Sequence, residues 1–195
     1  MLNPPPVESQ AVFTAGFSTM PVERFLNNLR THDINLLVDV RSKPFSRHAP
    51  HFNKDQIEAL AQRAGLRYRY LGRELGGMPE DEAFYDAQGY VLYDKLAAQP
   101  WFEQGIAQVL GDLRQGRRLA LTCAEADPRA CHRRLLLGHV LRQHGIGVAH
   151  ILASGSLISE SELLDEEAAQ PRQLSLFGEL PLPKWRSATP VAPKE

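Results

Sequence analysis

The chain has 195 residues, 43% of them hydrophobic, enough for one domain with a real core plus tails. Its formal charge of -1 excludes the global basic field behind strong non-specific nucleic-acid binding, so any contact with DNA is expected to be local or borrowed from a partner. With only two cysteines, Cys123 and Cys131, two thiols are expected rather than a structural disulfide.

Residues 1–10 hold Pro4-Pro5-Pro6 and no apolar run with basic flanks. They read as a disordered N-terminus rather than a signal peptide or membrane anchor, which predicts a cytoplasmic protein with no membrane partner. Residues 11–153 alternate short apolar, β-leaning runs with helical stripes. The runs 12–14, 36–40, 66–71, 119–122 and 148–152 read as strands. Val22, Phe25, Leu26 and Leu29 share one helical face; so do Ile57, Leu60, Ala61 and Ala64, and later Phe102, Ile106, Val109, Leu110 and Leu113. Asn53 with Gln56 predicts a capping box, Gly65 and Gly145 predict helix stops, and Asp127-Pro128 predicts an N-cap followed by proline. Residues 78–90 read as a long loop or lid. From 154 to 195 the chain is acidic and proline-rich, with a short acidic helix expected over 161–169. The alternation implies an α/β fold, a single three-layer Rossmann-like domain with a mostly parallel sheet of about five strands, plus flexible N- and C-terminal tails. Sites in such folds gather at the carboxyl ends of the strands.

Three polar segments fall at those ends: 39–47, 71–77 and 122–133. Gly16-Phe17-Ser18, Asp39-Val40-Arg41 with Pro44 and Ser46, Leu71-Gly72 with Gly76-Gly77, Cys123 with Glu125, and Cys131-His132-Arg133 together resemble the pattern of the domain of unknown function 488 family. The resemblance spans roughly residues 13–151. It implies an α/β fold and no settled reaction.

Read chemically, Cys123 ends a strand and faces the start of a helix near Pro128, where unpaired amides and the helix dipole favour a thiolate or a bound anion. Cys123, Glu125, His132 and Asp39 are therefore candidate catalytic residues. Cys123 to Arg129 has the Cys-x5-Arg spacing of cysteine phosphatases, but Glu125 and Asp127 would repel a dianion and the loop lacks glycine. A metal on Cys123, Cys131 and His132 would need a fourth ligand or a water, and the spacing matches no structural zinc pattern, so no metal or other cofactor is assigned. Arg41, Ser46, Arg47, Arg133, Gly16 and Ser18 are candidate phosphate-binding residues, within a basic rim that also holds Lys43, His48, His51, Arg73, Arg129 and Arg134. Tyr68, Tyr70, Phe84, Tyr85 and Tyr90 offer stacking surfaces. The structural alternatives stay open: a packed Cys123 and Cys131, an Asp39–Arg41 ion pair tethering its loop, and a solvated or capping His132 and Arg133.

In the tail, Gln173-Leu174-Ser175-Leu176-Phe177 resembles the peptide by which many bacterial replication and repair proteins bind the DNA sliding clamp. Gln173 would serve a polar subsite and Leu174, Leu176 and Phe177 an apolar cleft, provided residues 170–177 lie outside the core on a flexible stretch near 154–170. The first functional reading is thus a DNA-repair or nucleic-acid-processing factor acting on a phosphate-bearing substrate and recruited by the clamp. The alternatives are a non-catalytic nucleotide or nucleic-acid binding module, and a cysteine-dependent redox or hydrolytic enzyme.

Overall fold

The computed structural model describes residues 11–169 and 185–191. The clamp-like residues 173–177 lie outside them.

Six strands form one sheet: β1 (Ala11–Gly16), β2 (Leu36–Asp39), β3 (Arg67–Tyr70), β4 (Leu119–Cys123), β5 (Gly147–Ile151) and β6 (Leu157–Ser159). Their spatial order is β3-β2-β4-β1-β5-β6; the first five run parallel and β6 pairs antiparallel with β5. β2 reads Leu-Leu-Val-Asp with every residue buried, the continuous pattern of a parallel strand covered on both faces. Edge strand β3, Arg-Tyr-Arg-Tyr, is only partly covered.

The covering helices are α1 (Val22–Thr31), α2 (Lys54–Arg63), α3 (Gly72–Leu75), α4 (Tyr93–Ala97), α5 (Pro100–Arg114), α6 (His139–Gln143) and α7 (Glu160–Ala169). The stripes of α1 and α2 close one core with Phe13, Phe17, Leu37 and Phe52. The stripe of α5 joins Leu36, Val38, Leu121 and Leu136 in the second. Three layers result. Gly65 and Gly145 end α2 and α6 in the left-handed conformation, at φ +80° and +73°, where glycine carries no Cβ penalty.

Two expected caps turn out differently. The Asn53 side chain makes no capping bond to α2; its Oδ1 accepts instead from the Ser46 amide at 2.7 Å, pinning the loop after β2. Asp127 does cap Pro128, accepting from the Arg129 amide at 2.9 Å, but the element it starts is one 3-10 turn, Pro128–Ala130. The helix proper follows as a π turn, Arg133–Gly138, running into α6.

The domain also extends past the expected boundary at 153. β6 and α7, assigned above to the tail, complete the sheet and bury Leu163. A buried relay holds them: Arg133 Nε donates to Thr14 Oγ1 (3.3 Å), Thr14 Oγ1 lies 2.8 Å from His150 Nδ1, His150 Nε2 lies 2.9 Å from Glu160 Oε2, and Arg134 Nε donates to the same carboxylate at 3.0 Å. Further on, Trp185–Val191 docks on the segment after the 78–90 loop. The Tyr93 amide donates to Trp185 O (3.0 Å), the Ser187 amide to Val91 O (3.0 Å) and the Trp185 indole to Leu135 O (2.7 Å). No described helix is long and apolar enough to cross a membrane.

Candidate active site

Register aligns the ends of three strands. Asp39 sits level with Thr122, and Gly16 with Cys123, so the turns after β1, β2 and β4 meet at one edge. A cavity of about 310 Å³ opens there, lined by Arg41, Ser42, Lys43, Gly77, Met78, Tyr93, Cys123, Ala124, Glu125, Ala130, Cys131 and His132, and on one side by Ser187, Thr189 and Val191. That is the lower end of the size range for small-ligand sites.

The cavity floor holds two sulfurs and an imidazole. His132 Nδ1 lies 3.8 Å from Cys123 Sγ and 3.7 Å from Cys131 Sγ. Its other nitrogen, Nε2, is 3.1 Å from Val40 O. A carbonyl can only accept, so Nε2 carries a proton and in the neutral ring Nδ1 is the lone-pair nitrogen facing both sulfurs. Both cysteines are free; Cys131 is buried and Cys123 half-buried. A hydrogen bond from the Cys131 thiol holds Cys123 well below the ordinary thiol range, against the opposing effect of burial and with help from His132 and the Glu125 amide. Burial, then the neighbouring Cys123 sulfur, pushes Cys131 well above that range. The two shifts run in opposite directions, and Cys123, the lowered one, is the more exposed of the pair.

Arg41 lines the same cavity. Its Nε and Nη2 donate to Asp39 Oδ1 and Oδ2 at 2.8 and 2.6 Å, and its own amide reaches Asp39 Oδ1 at 3.1 Å. Tyr68 donates a fourth hydrogen bond to Asp39, at 2.9 Å. Burial and then Asp39 push the Tyr68 phenol far above its ordinary value, so it stays a donor. Asp39 is fully buried and saturated with donors; among the described residues it orients Arg41 and touches no cavity atom. The guanidinium lies over the Phe17 ring, 4.9 Å from its centroid, and its remaining Nη1 has no hydrogen-bond partner among the described residues. Lys43 adds a second cation to the lining.

The remaining candidates separate from this centre. Glu125 lines the cavity, exposed, its Oε1 3.3 Å from the Asp127 amide. Arg133, expected to bind phosphate, is fully buried: its Nη1 and Nη2 donate to Glu125 O and Ala126 O, the second at 2.7 Å, so it holds the Cys123–Asp127 turn from beneath. Gly16 and Ser18 serve the same turn, which approaches so closely that a Cβ on Gly16 would stand 1.8 Å from Glu125 O; the Ser18 amide donates to Ala124 O at 2.8 Å. Ser46 Oγ accepts from the His48 and Ala49 amides at 3.2 Å, and Arg47 is exposed outside the cavity lining. Arg129 faces Glu166 at 2.5 Å rather than Cys123, so the Cys-x5-Arg spacing forms no phosphate cradle. The tyrosines are engaged too: Tyr70 donates to Ser42 O, Tyr85 to Pro79 O, and Tyr90 lies under Arg186.

Two contributors were not among the candidate site residues, although Gly77 belongs to the Gly76-Gly77 motif. Gly77 packs against the base of the His132 side chain, where a Cβ would come within 2.5 Å of Cγ. Ser187, Thr189 and Val191 close a wall from far along the chain, and nothing in their residue types marks them.

A family model described as Domain of unknown function DUF488 matches residues 21–140. The match takes in the Asp39, Gly77, Cys123 and Cys131-His132 segments and stops short of Gly16-Phe17-Ser18. No curated protein and no solved structure matches the chain.

Proposed function

We infer that this chain, which belongs to the DUF488 family, is an enzyme whose working centre is Cys123, Cys131 and His132 and whose substrate presents an anionic group, phosphate or carboxylate, to Arg41. One observation carries the reading: a buried guanidinium, held by Asp39 through its Nε and Nη2, shares a small cavity with two free cysteine sulfurs and an imidazole. A structural ion pair does not require its guanidinium to line a cavity. Arg41 would bind and orient the anionic group, the Cys123–Cys131–His132 trio would act on it, and Glu125, which also lines the cavity, would exchange protons with solvent.

The test is binding followed by turnover. A panel of mononucleotides and small carboxylates, with neutral analogues as controls, is screened by thermal shift and calorimetry. Anionic members should bind tighter. Arg41→Gln should weaken them about tenfold or more, the scale of a charge-assisted hydrogen bond worth about 1.5–3 kcal/mol. Arg41→Lys keeps the charge beside Asp39 and should recover only part of the loss. Equal binding of neutral and anionic members, or an unaffected Arg41→Gln, overturns the reading.

A finer reading, nucleic-acid processing under sliding-clamp recruitment, rests on the match of Gln173, Leu174, Leu176 and Phe177 to a clamp-binding peptide. A peptide covering 171–179 should bind a bacterial clamp and lose binding when Leu176 and Phe177 are both replaced by alanine; equal binding of the two peptides removes it.

A further inference from the structure

We propose that Cys123, Cys131 and His132 are three ligands of a zinc-class ion whose fourth coordination position opens into the cavity. The proposal rests on the reading of this trio as the working centre, and it names what the trio holds.

The two sulfur–nitrogen separations match those of a filled site. Zinc binds thiolate sulfur at about 2.3 Å and imidazole nitrogen at about 2.0–2.1 Å in a tetrahedral arrangement. Those lengths place sulfur and nitrogen about 3.6 Å apart, with tolerance of roughly 0.2 Å. The two separations here are 3.8 and 3.7 Å, and all three ligand atoms lie within 4.8 Å of one another. Two cysteines merely packed in a core have no reason to sit equidistant from one ring nitrogen. The ring is also oriented for ligation: Val40 O takes the Nε2 proton, the outer-shell bond that ligating histidines make, and leaves Nδ1 to bind. Gly77 lets its own backbone pack close against the His132 side chain, where any Cβ would clash.

Donor softness narrows the metal. Two thiolates and one imidazole suit zinc, or another soft or borderline first-row ion, and not magnesium or calcium. Loading would release the thiol protons and leave a site with no net charge, two thiolates against a dication. The donor count narrows the role. Structural zinc sites close all four positions with protein ligands, whereas three ligands with an open position is the catalytic arrangement. Arg41 and Glu125 line the same cavity as the three ligands, so an oxygen of the anionic substrate, or a water, would complete the shell. The Cys-x7-Cys-His spacing fits no structural zinc pattern for the same reason.

The experiment uses the full chain, purified without a metal-binding tag and reconstituted with zinc. Elemental analysis should give about one zinc per chain. Cobalt substitution should produce the thiolate-to-metal charge-transfer band and the strong visible bands of a tetrahedral site. In the loaded chain both thiols should resist a thiol reagent until a chelator is added. Cys123→Ser and His132→Gln should each lose most of the metal. If a variant fails to fold by circular dichroism, thiol protection in the unmodified chain decides alone. Arg41→Gln should keep its metal, so loss of anion binding with metal retained, or the reverse, separates this proposal from the preceding one. No zinc after reconstitution, thiols equally reactive with and without chelator, or a Cys123–Cys131 disulfide forming in place of metal binding overturns it.

Discussion

Glu160 shows how a single side chain can secure an element. It is 6% exposed and accepts from Arg134 and His150, with Arg142 at 3.6 Å. Burial works to raise its pKa, but the hydrogen bonds from His150 and Arg134 win and the carboxyl sits below its ordinary value. His150 is also lowered, chiefly by burial, against the opposing pull of Glu160, with Arg133 and Arg134 adding to the lowering. Both signs point the same way. A lowered histidine loses stability as pH falls below its ordinary value near 6.5, because only the unfolded state takes up the proton; a lowered glutamate adds a further loss as pH falls below about 4.5. The urea midpoint should therefore decline from pH 7 to pH 4. Glu160→Gln should lower stability at pH 7 by about 3 kcal/mol, the scale of a broken buried pair, and flatten the acid limb of the profile. An unchanged slope would show that other carboxylates govern acid unfolding. Arg133 and Arg134 explain why such residues mislead from sequence. Composition placed them on a basic rim, and only the chain's return through β5, β6 and α7 buries them. Asp39 with Arg41 was legible because local spacing brings the two together; Arg134 with Glu160 was not, because the partners meet only in the tertiary fold.

At the scale of elements, the segment Trp185–Val191 acts as a strap. Trp185 packs edge-on to Tyr93 and against His139, while Arg186 bonds Asp86 at 2.7 Å and bridges Leu92. Three of its residues wall the cavity, so its docking and the shape of the site are one property. Trp185→Ala should cost about 2 kcal/mol, below the range for a fully buried tryptophan because the ring is only half-buried. It should also raise hydrogen exchange at Val91, Tyr93 and Ser187, whose amides bond across the strap. Unchanged exchange at Val91 and Tyr93 would mean that the strap is not part of the folded unit. Proline content alone marked this region as tail, and it hid two anchors: the indole N–H and the Ser187 hydroxyl, each needing a buried partner to register.

Across the whole molecule, the layers, the five parallel strands and the direction of the site followed from hydrophobic periodicity, since a covered parallel strand must be apolar throughout and a covering helix on one stripe. The strand order did not follow, because periodicity says nothing about neighbours. That order has a consequence in time. β1 pairs only with β4 and β5, and β4 lies between β1 and β2. A fragment ending at Gly116 keeps the β2–β3 pair but leaves β1 with no partner, and it should show no cooperative unfolding transition, while the chain through Val191 does; a cooperative melt in the fragment would show that the α1 and α2 core stands alone. On the ribosome, synthesis runs at about 5–20 residues per second. Val12 and Phe13 would then wait on the order of 5–20 s before Leu119–Cys123 exists to receive them. For that interval the first-made strand is an open apolar edge, the kind of segment that invites mispairing. β4, which covers the first of β1's two edges, is also the strand that ends in Cys123, while the second edge waits for β5, so the site begins to assemble in the step that halves this exposure.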